Sequence, residues 1–157
     1  MVKYALTNET TDGYLGRYLL GYPVVLMIND QLAPGAKVMI TGRQIIYYLD
    51  TKYFLAHPVL QGVINIRSDA TDTKAFLAKI RQMGITHIQA QYISKSPNPR
   101  MSSMEVMTSE LVARGCAQVE LKTSYKTIVS RIGHMLGSSF DLIETMIVEL
   151  LPGPCEL

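Results

Sequence analysis

Thr41, Gly42 and Arg43 are the residues of this 157-residue chain best placed for chemistry. Val38, Met39 and Ile40 form a short apolar run, the pattern of a strand buried in a parallel sheet. Gly42 ends it, and Gln44 to Leu49 read as a short helix carrying Tyr47 and Tyr48. A strand that passes through a glycine turn into a helix start presents backbone N–H groups to an anion or a sugar, and an arginine beside them adds charge and a two-pronged grip. The tyrosines offer flat apolar faces with polar tips, suited to stacking on a sugar or on a partner surface. Thr41, Gly42, Arg43, Tyr47 and Tyr48 are therefore the candidate ligand-binding set. The competing reading is a glycine required by a tight turn, an arginine in solvent and half-buried tyrosines. Gly42 stands alone, so the glycine spacing of a dinucleotide or Walker loop is absent.

The remaining reactive side chains assemble no catalytic set. His57, His87 and His134 have no second ligand at a metal-binding spacing, and His87, within a strand, reads as a structural histidine. Asp69, Asp72 and Glu105 sit at loop or helix-start positions, where capping explains them better than acid–base work. Ser138-Ser139 lacks the strand–turn–helix context of a nucleophile elbow. Tyr14, Tyr18, Tyr22, Tyr53 and Tyr92 extend the tyrosine supply without adding a reaction. No cofactor or metal is implied.

These residues need elements to hold them. Met1 to Thr11 reads as a polar arm. Tyr14, Leu15, Tyr18 and Leu19 recur at helical spacing, with Thr11 or Asp12 as N-cap, and Gly21 interrupts. Pro23 opens a second helix through Leu32, and Ala33-Pro34-Gly35 turns the chain into the strand Lys37–Ile40. Tyr53 to Ala56 reads as a second strand, and Gly62 to Ile66 as a third short stretch or a loop. Asp72 to Met83 is amphipathic, capped by Thr71 or Asp72 and closed by Gly84, and leads into a strand from Ile85 to Tyr92. That helix–glycine–strand order is half of a right-handed crossover and predicts a strand parallel to Lys37–Ile40. Ser94 to Asn98 reads as loop. Ser102 or Ser103 opens a helix that ends at Gly115 and carries Met104 and Met107, a core filler or an adaptable surface. Ala117 to Ile132 and Phe140 to Leu151 flank a glycine-bounded loop and read as an antiparallel hairpin at the sheet edge. The expected fold is a single α/β domain over residues 1–157, with an arm at 1–11 and a tail at 153–157. It is a three-layer Rossmann-like sandwich with a mostly parallel central sheet and an antiparallel C-terminal hairpin.

Composition narrows the partners. With 48% apolar and 18% charged residues a globular core is expected. A net charge of +2, carried by scattered lysines and arginines, argues against nucleic acid. No stretch reaches the roughly 18 apolar residues of a membrane helix, and the N-terminus turns polar too early for a signal peptide. Cys116 and Cys155 follow neither a redox nor a metal spacing. They pair only if the tail folds back beside residue 116, and two free thiols are the simpler expectation.

One combination of segments carries a resemblance. Tyr14-Leu15, Tyr22, Ile28-Asn29-Asp30-Gln31-Leu32-Ala33-Pro34-Gly35-Ala36-Lys37-Val38, Gly42 and Tyr47-Tyr48-Leu49-Asp50 form one part. Leu77 through Met83-Gly84-Ile85-Thr86-His87-Ile88 form the other. Together they resemble the soluble C-terminal domain of bacterial multi-spanning, lipid-phosphate-sugar-dependent glycosyltransferases of the dolichyl-phosphate-mannose-transferase-like kind. The likeness covers residues 10 to 92. Such proteins often carry Gly-Glu-x-Arg-x-Tyr-Tyr after the first strand, where this chain has Arg43 and Ile45. The catalytic carboxylate of that family lies in an early loop between membrane helices, which this chain does not contain.

The resemblance implies a non-catalytic accessory domain on the extracytoplasmic face of a bacterial membrane. Its partners would be the membrane-embedded remainder of a parent protein and a glycan or lipid-linked sugar. The alternatives are a stand-alone soluble nucleotide- or sugar-phosphate-binding protein and a structural or oligomerising module, in which an exposed hairpin edge would allow a homodimer.

Overall fold

The computed structural model describes residues 10–19, 21–41, 43–57, 59–67, 70–93, 102–128 and 140–157. The chain enters through α1 (Thr11–Tyr18). Its cap is Thr10, whose hydroxyl accepts from Gly13 N at 3.1 Å, so neither Thr11 nor Asp12 serves. Asp12 acts elsewhere, since its carboxylate accepts the Tyr22 hydroxyl at 2.8 Å and ties α1 to α2 (Tyr22–Gln31). Gly21 joins the two helices at φ +83°, backbone that glycine adopts without strain, and Pro23 fits the first turn.

β1 (Lys37–Ile40) follows, then the short helix expected over Gln44–Leu49, which is a 3-10 turn over Arg43–Tyr48, then β2 (Lys52–Leu55). The turn is tighter because Ile45 is drawn into the core at 2% exposure while Tyr47 stays in solvent. Residues 62–66 form no strand. α3 (Thr73–Gln82) is capped by the Asp72 carboxylate on Ala75 N at 2.8 Å and closed by Gly84 at φ +67°. β3 (His87–Ile93) starts two residues later than its apolar run suggests, because Thr86 is used in the turn before it. α4 (Ser103–Ala113) begins with a capping box: Glu105 N donates to Ser102 Oγ, and the Glu105 carboxylate accepts Ser102 N. β4 (Ala117–Ile128) and β5 (Phe140–Leu150) complete the described elements.

The sheet is mixed, with strand order β2-β1-β3-β5-β4. β1 pairs in parallel with β2 and with β3, as the crossover predicts. β5 is antiparallel to both its neighbours. The C-terminal pair is thus not wholly peripheral: β4 takes the edge and β5 lies inside, against β3.

Successive strand residues point to opposite faces, and two apolar clusters result. Met39, Ile88 and Val148 join α3 and α4 through Phe76, Leu77, Ile80, Met104, Met107 and Leu111. The two α4 methionines are therefore core filler. Val38, Ile40 and Ile147 join α2 through Val24, Val25, Met27 and Ile28. The cysteines depart from expectation: Cys116 and Cys155 form a disulfide, their Cα atoms 5.5 Å apart. The tail returns because Leu151 N donates to Cys116 O and the Arg81 guanidinium donates to Leu151 O, which brings Cys155 beside the start of β4. Among the described residues no helix is long and apolar enough to cross a membrane.

Candidate functional site

In open α/β sheets ligands occupy the crevice at the strand carboxyl ends where the winding order reverses. Here the chain steps from β1 outward to β2 and then returns to the other side of β1 as β3, so the reversal lies between β1 and β3. Thr41 sits there, immediately after β1, and its N–H donates to Gln89 Oε1 on β3 at 3.4 Å.

The five residues picked out by the sequence do not all face this crevice. Gly42 and the Arg43 side chain lie outside the described residues. Tyr47 is 84% exposed. Tyr48 packs edge-on against Tyr22, ring centroids 5.6 Å apart, and its carbonyl accepts from Asn29 Nδ2 at 2.8 Å. Asn29 Oδ1 in turn accepts from Asp50 N, so this asparagine clamps both ends of the segment after the 3-10 turn. Tyr48 therefore has structural work on α2. Its neighbour Tyr22 is buried, and its hydroxyl is held as phenol. The bond to Asp12, then burial, push its pKa up to about 12. Ser138, Ser139, His134, Asp69 and the 94–98 loop lie outside the described residues.

The side chains that do converge at the crevice were missed by motif reading. Gln89 is opposite Ile147 and Gln91 is opposite Thr145 in the β3–β5 ladder, so all four share the face that α2 covers. Gln91 Nε2 donates to the Tyr125 hydroxyl from β4 at 3.1 Å. The Tyr125 phenol is pushed up by burial, with the Thr145 hydroxyl beside it pulling weakly the other way. A Cβ on Gly21 would stand 3.2 Å from Ile45 Cγ2 and 3.7 Å from Tyr125 Oη, so the α1–α2 junction lies close over this phenol. Gln89 and Thr145 are wholly buried, and neither Gln89 Nε2 nor Thr145 Oγ1 has a partner of hydrogen-bonding geometry. Leaving a buried polar group unmatched costs about 1–3 kcal/mol. Turning the Gln89 amide over would not help, because its nitrogen would then face the Thr41 N–H.

A second polar group lies at the opposite end of β3. His87 is buried, with Nδ1 2.7 Å from Thr86 Oγ1 and Nε2 2.9 Å from a Glu120 carboxylate oxygen. Hydroxyl, imidazole and carboxylate in series resemble a nucleophilic relay. However, Thr86 Oγ1 also accepts Lys37 N at 2.9 Å and lies 3.3 Å from Lys37 O, so the hydroxyl is engaged by the main chain of β1. A cleft of about 500 Å³ opens between Val63–Asn65 and the start of α3. Its charged groups are occupied, Asp72 by the cap and Lys79 by Gln82 Oε1. Among the described residues no cluster of histidine, cysteine or carboxylate could hold a metal ion.

The chain matches no known family model, no curated protein and no solved structure.

Proposed function

We propose that this chain is a non-catalytic accessory domain of a membrane glycosyltransferase-like protein, standing outside the cytoplasm and positioning a glycan or acceptor at the carboxyl ends of β1 and β3. The observation that carries the reading is the Cys116–Cys155 disulfide. Structural disulfides persist where the surroundings are oxidising and are rare in the cytosol. The resemblance over residues 10 to 92 points to the same side of a membrane. Thr10, Asp72, Ser102 and Glu105 are engaged in helix caps, and Thr86, His87 and Glu120 bond one another at the β3 start; this reading assigns binding to the polar groups at the strand ends. On this reading the sheet and its two apolar clusters form a three-layer Rossmann-like domain, and the membrane-embedded remainder of the parent protein is its constant partner.

Two measurements test it. Thiols trapped in intact native cells with a maleimide should leave Cys116 and Cys155 unlabelled until a reductant is added; labelling without reductant would place the chain in a reducing compartment and favour the stand-alone soluble reading. A thermal-shift panel of glycans, polyprenyl-phosphate analogues and nucleotides should then respond to the first two. Ligand at a hundred times its Kd stabilises by about 2.7 kcal/mol, several degrees for a domain of this size. A response confined to nucleotides would overturn the accessory role in favour of a nucleotide-binding protein, and silence would leave a structural module.

A further inference from the structure

Resting on that reading, we propose that Gln89 and Thr145 form the floor of a binding site for a neutral hydroxylated group, a sugar hydroxyl or adjacent pair of them, whose mouth is framed by Gln91, Tyr125 and the Thr41 N–H. Gln89 and Thr145 are wholly buried, whereas Gln91, Tyr125 and Thr41 are only partly so. Polarity therefore runs from the middle of β3 and β5 outward to the carboxyl end of β3, where the winding order reverses.

The chemistry of the floor selects the ligand. Gln89 Oε1 is occupied by Thr41 N, so its amide offers N–H donors. Thr145 offers one O–H donor and acceptor lone pairs. Tyr125 already accepts from Gln91 and has the Thr145 hydroxyl beside it, so a ligand hydroxyl here would be shared between phenol and alcohol. A hydroxyl, which accepts and donates through one atom, satisfies such a set. An anion does not: the hydrogen-bonding groups are two amides, an alcohol and a phenol, and a buried charge without a counter-charge is strongly disfavoured. Gln89 sits diagonally across the β3–β5 ladder from Thr145 and Gln91 directly across, so the three side chains are neighbours on one face of the sheet.

The test is a titration of the isotopically labelled chain with neutral methyl glycosides and, separately, with inorganic phosphate, following the Gln89 side-chain amide resonances by NMR. Saturable displacement of that amide by a glycoside, absent with phosphate, is expected. Gln89→Leu and Thr145→Val should each weaken the glycoside about tenfold, the scale of one lost hydrogen bond, while keeping the fold. An amide that no glycoside moves, or that phosphate moves more, overturns the assignment and leaves a buried water as the partner of both groups. If a glycoside binds and both variants retain wild-type affinity, this assignment fails while the accessory reading survives. If no glycan or lipid-phosphate of the wider panel binds at all, both fail. Should a variant not fold, the wild-type amide response still decides.

Discussion

The two faces of the sheet solve the same packing problem differently. On the α3–α4 face Met39, Ile80, Ile88, Met104, Met107, Leu111 and Val148 are almost wholly buried, and the polar groups among them are closed locally. Thr108 Oγ1 donates to Met104 O at 2.7 Å and the Thr73 hydroxyl bonds the Glu110 carboxylate. On the α2 face an equally dry cluster of Val24, Ile28, Val38, Ile40 and Ile147 gives way, toward the strand ends, to Gln89, Gln91, Thr145 and Tyr125. Apolar burial alone would have filled those places with valine or isoleucine. The difference teaches that one face is committed to stability and the other keeps polar groups in reserve.

That contrast can be broken by mutation. The largest effect is expected from Leu111→Ala, which empties a fully buried site on the α3–α4 face and should cost about 2–5 kcal/mol in denaturant unfolding; a loss under 1 kcal/mol would mean that this face is loosely packed. Cys155→Ser opens a link spanning 39 residues and should cost about 2–4 kcal/mol, a loss that a reductant should reproduce in the wild type. Tyr22→Phe removes the bond to Asp12 and should cost about 1–2 kcal/mol. The same bond has a pH signature. The folded-state pKa of Tyr22 is raised from 10.0 to about 12, so its contribution is complete below pH 10 and fades as pH climbs toward 12. Alkaline titration of stability should show wild type losing this increment while Tyr22→Phe, having none to lose, falls less steeply. The smallest effect belongs to Gln89→Leu, which removes an unmatched amide N–H but also the acceptor of the Thr41 N–H, so gain and loss oppose each other and stability should stay within about 1 kcal/mol of wild type. A penalty as large as that of Leu111→Ala would erase the distinction between the faces.

Much of the fold was legible because local signals agreed with it. Pro23 and Gly35 punctuate α2, the Asp72 cap and Gly84 bound α3, and Ser102 with Glu105 opens α4, each a short-range effect visible in four or five residues. What could not be read depended on distant neighbours. The Cys116–Cys155 link follows from where β5 inserts, which sets Leu151 beside Cys116; no spacing between cysteines 39 residues apart announces it. The 3-10 turn follows from the pull of the core on Ile45. At the site the glycine and arginine drew notice because they belong to known anion-binding patterns, and Thr41 does lie at the crevice. The better signal was His87-Ile88-Gln89-Ala90-Gln91: polar residues at alternate positions of a strand expected to be interior, which on a sheet covered by helices leaves amides with no water to bind.

The insertion of β5 between β3 and β4 also dictates a timetable. β3 finds its partner over seven positions, from His87 with Glu149 to Ile93 with Ile143, in nearly the last stretch of the described chain to leave a ribosome or a translocation pore. Until then the amino-terminal half presents a bare strand edge, open to wrong pairing. The sheet closes late, the oxidative joining of Cys116 to Cys155 can only follow, and the covalent link then records that the final strand has reached its place.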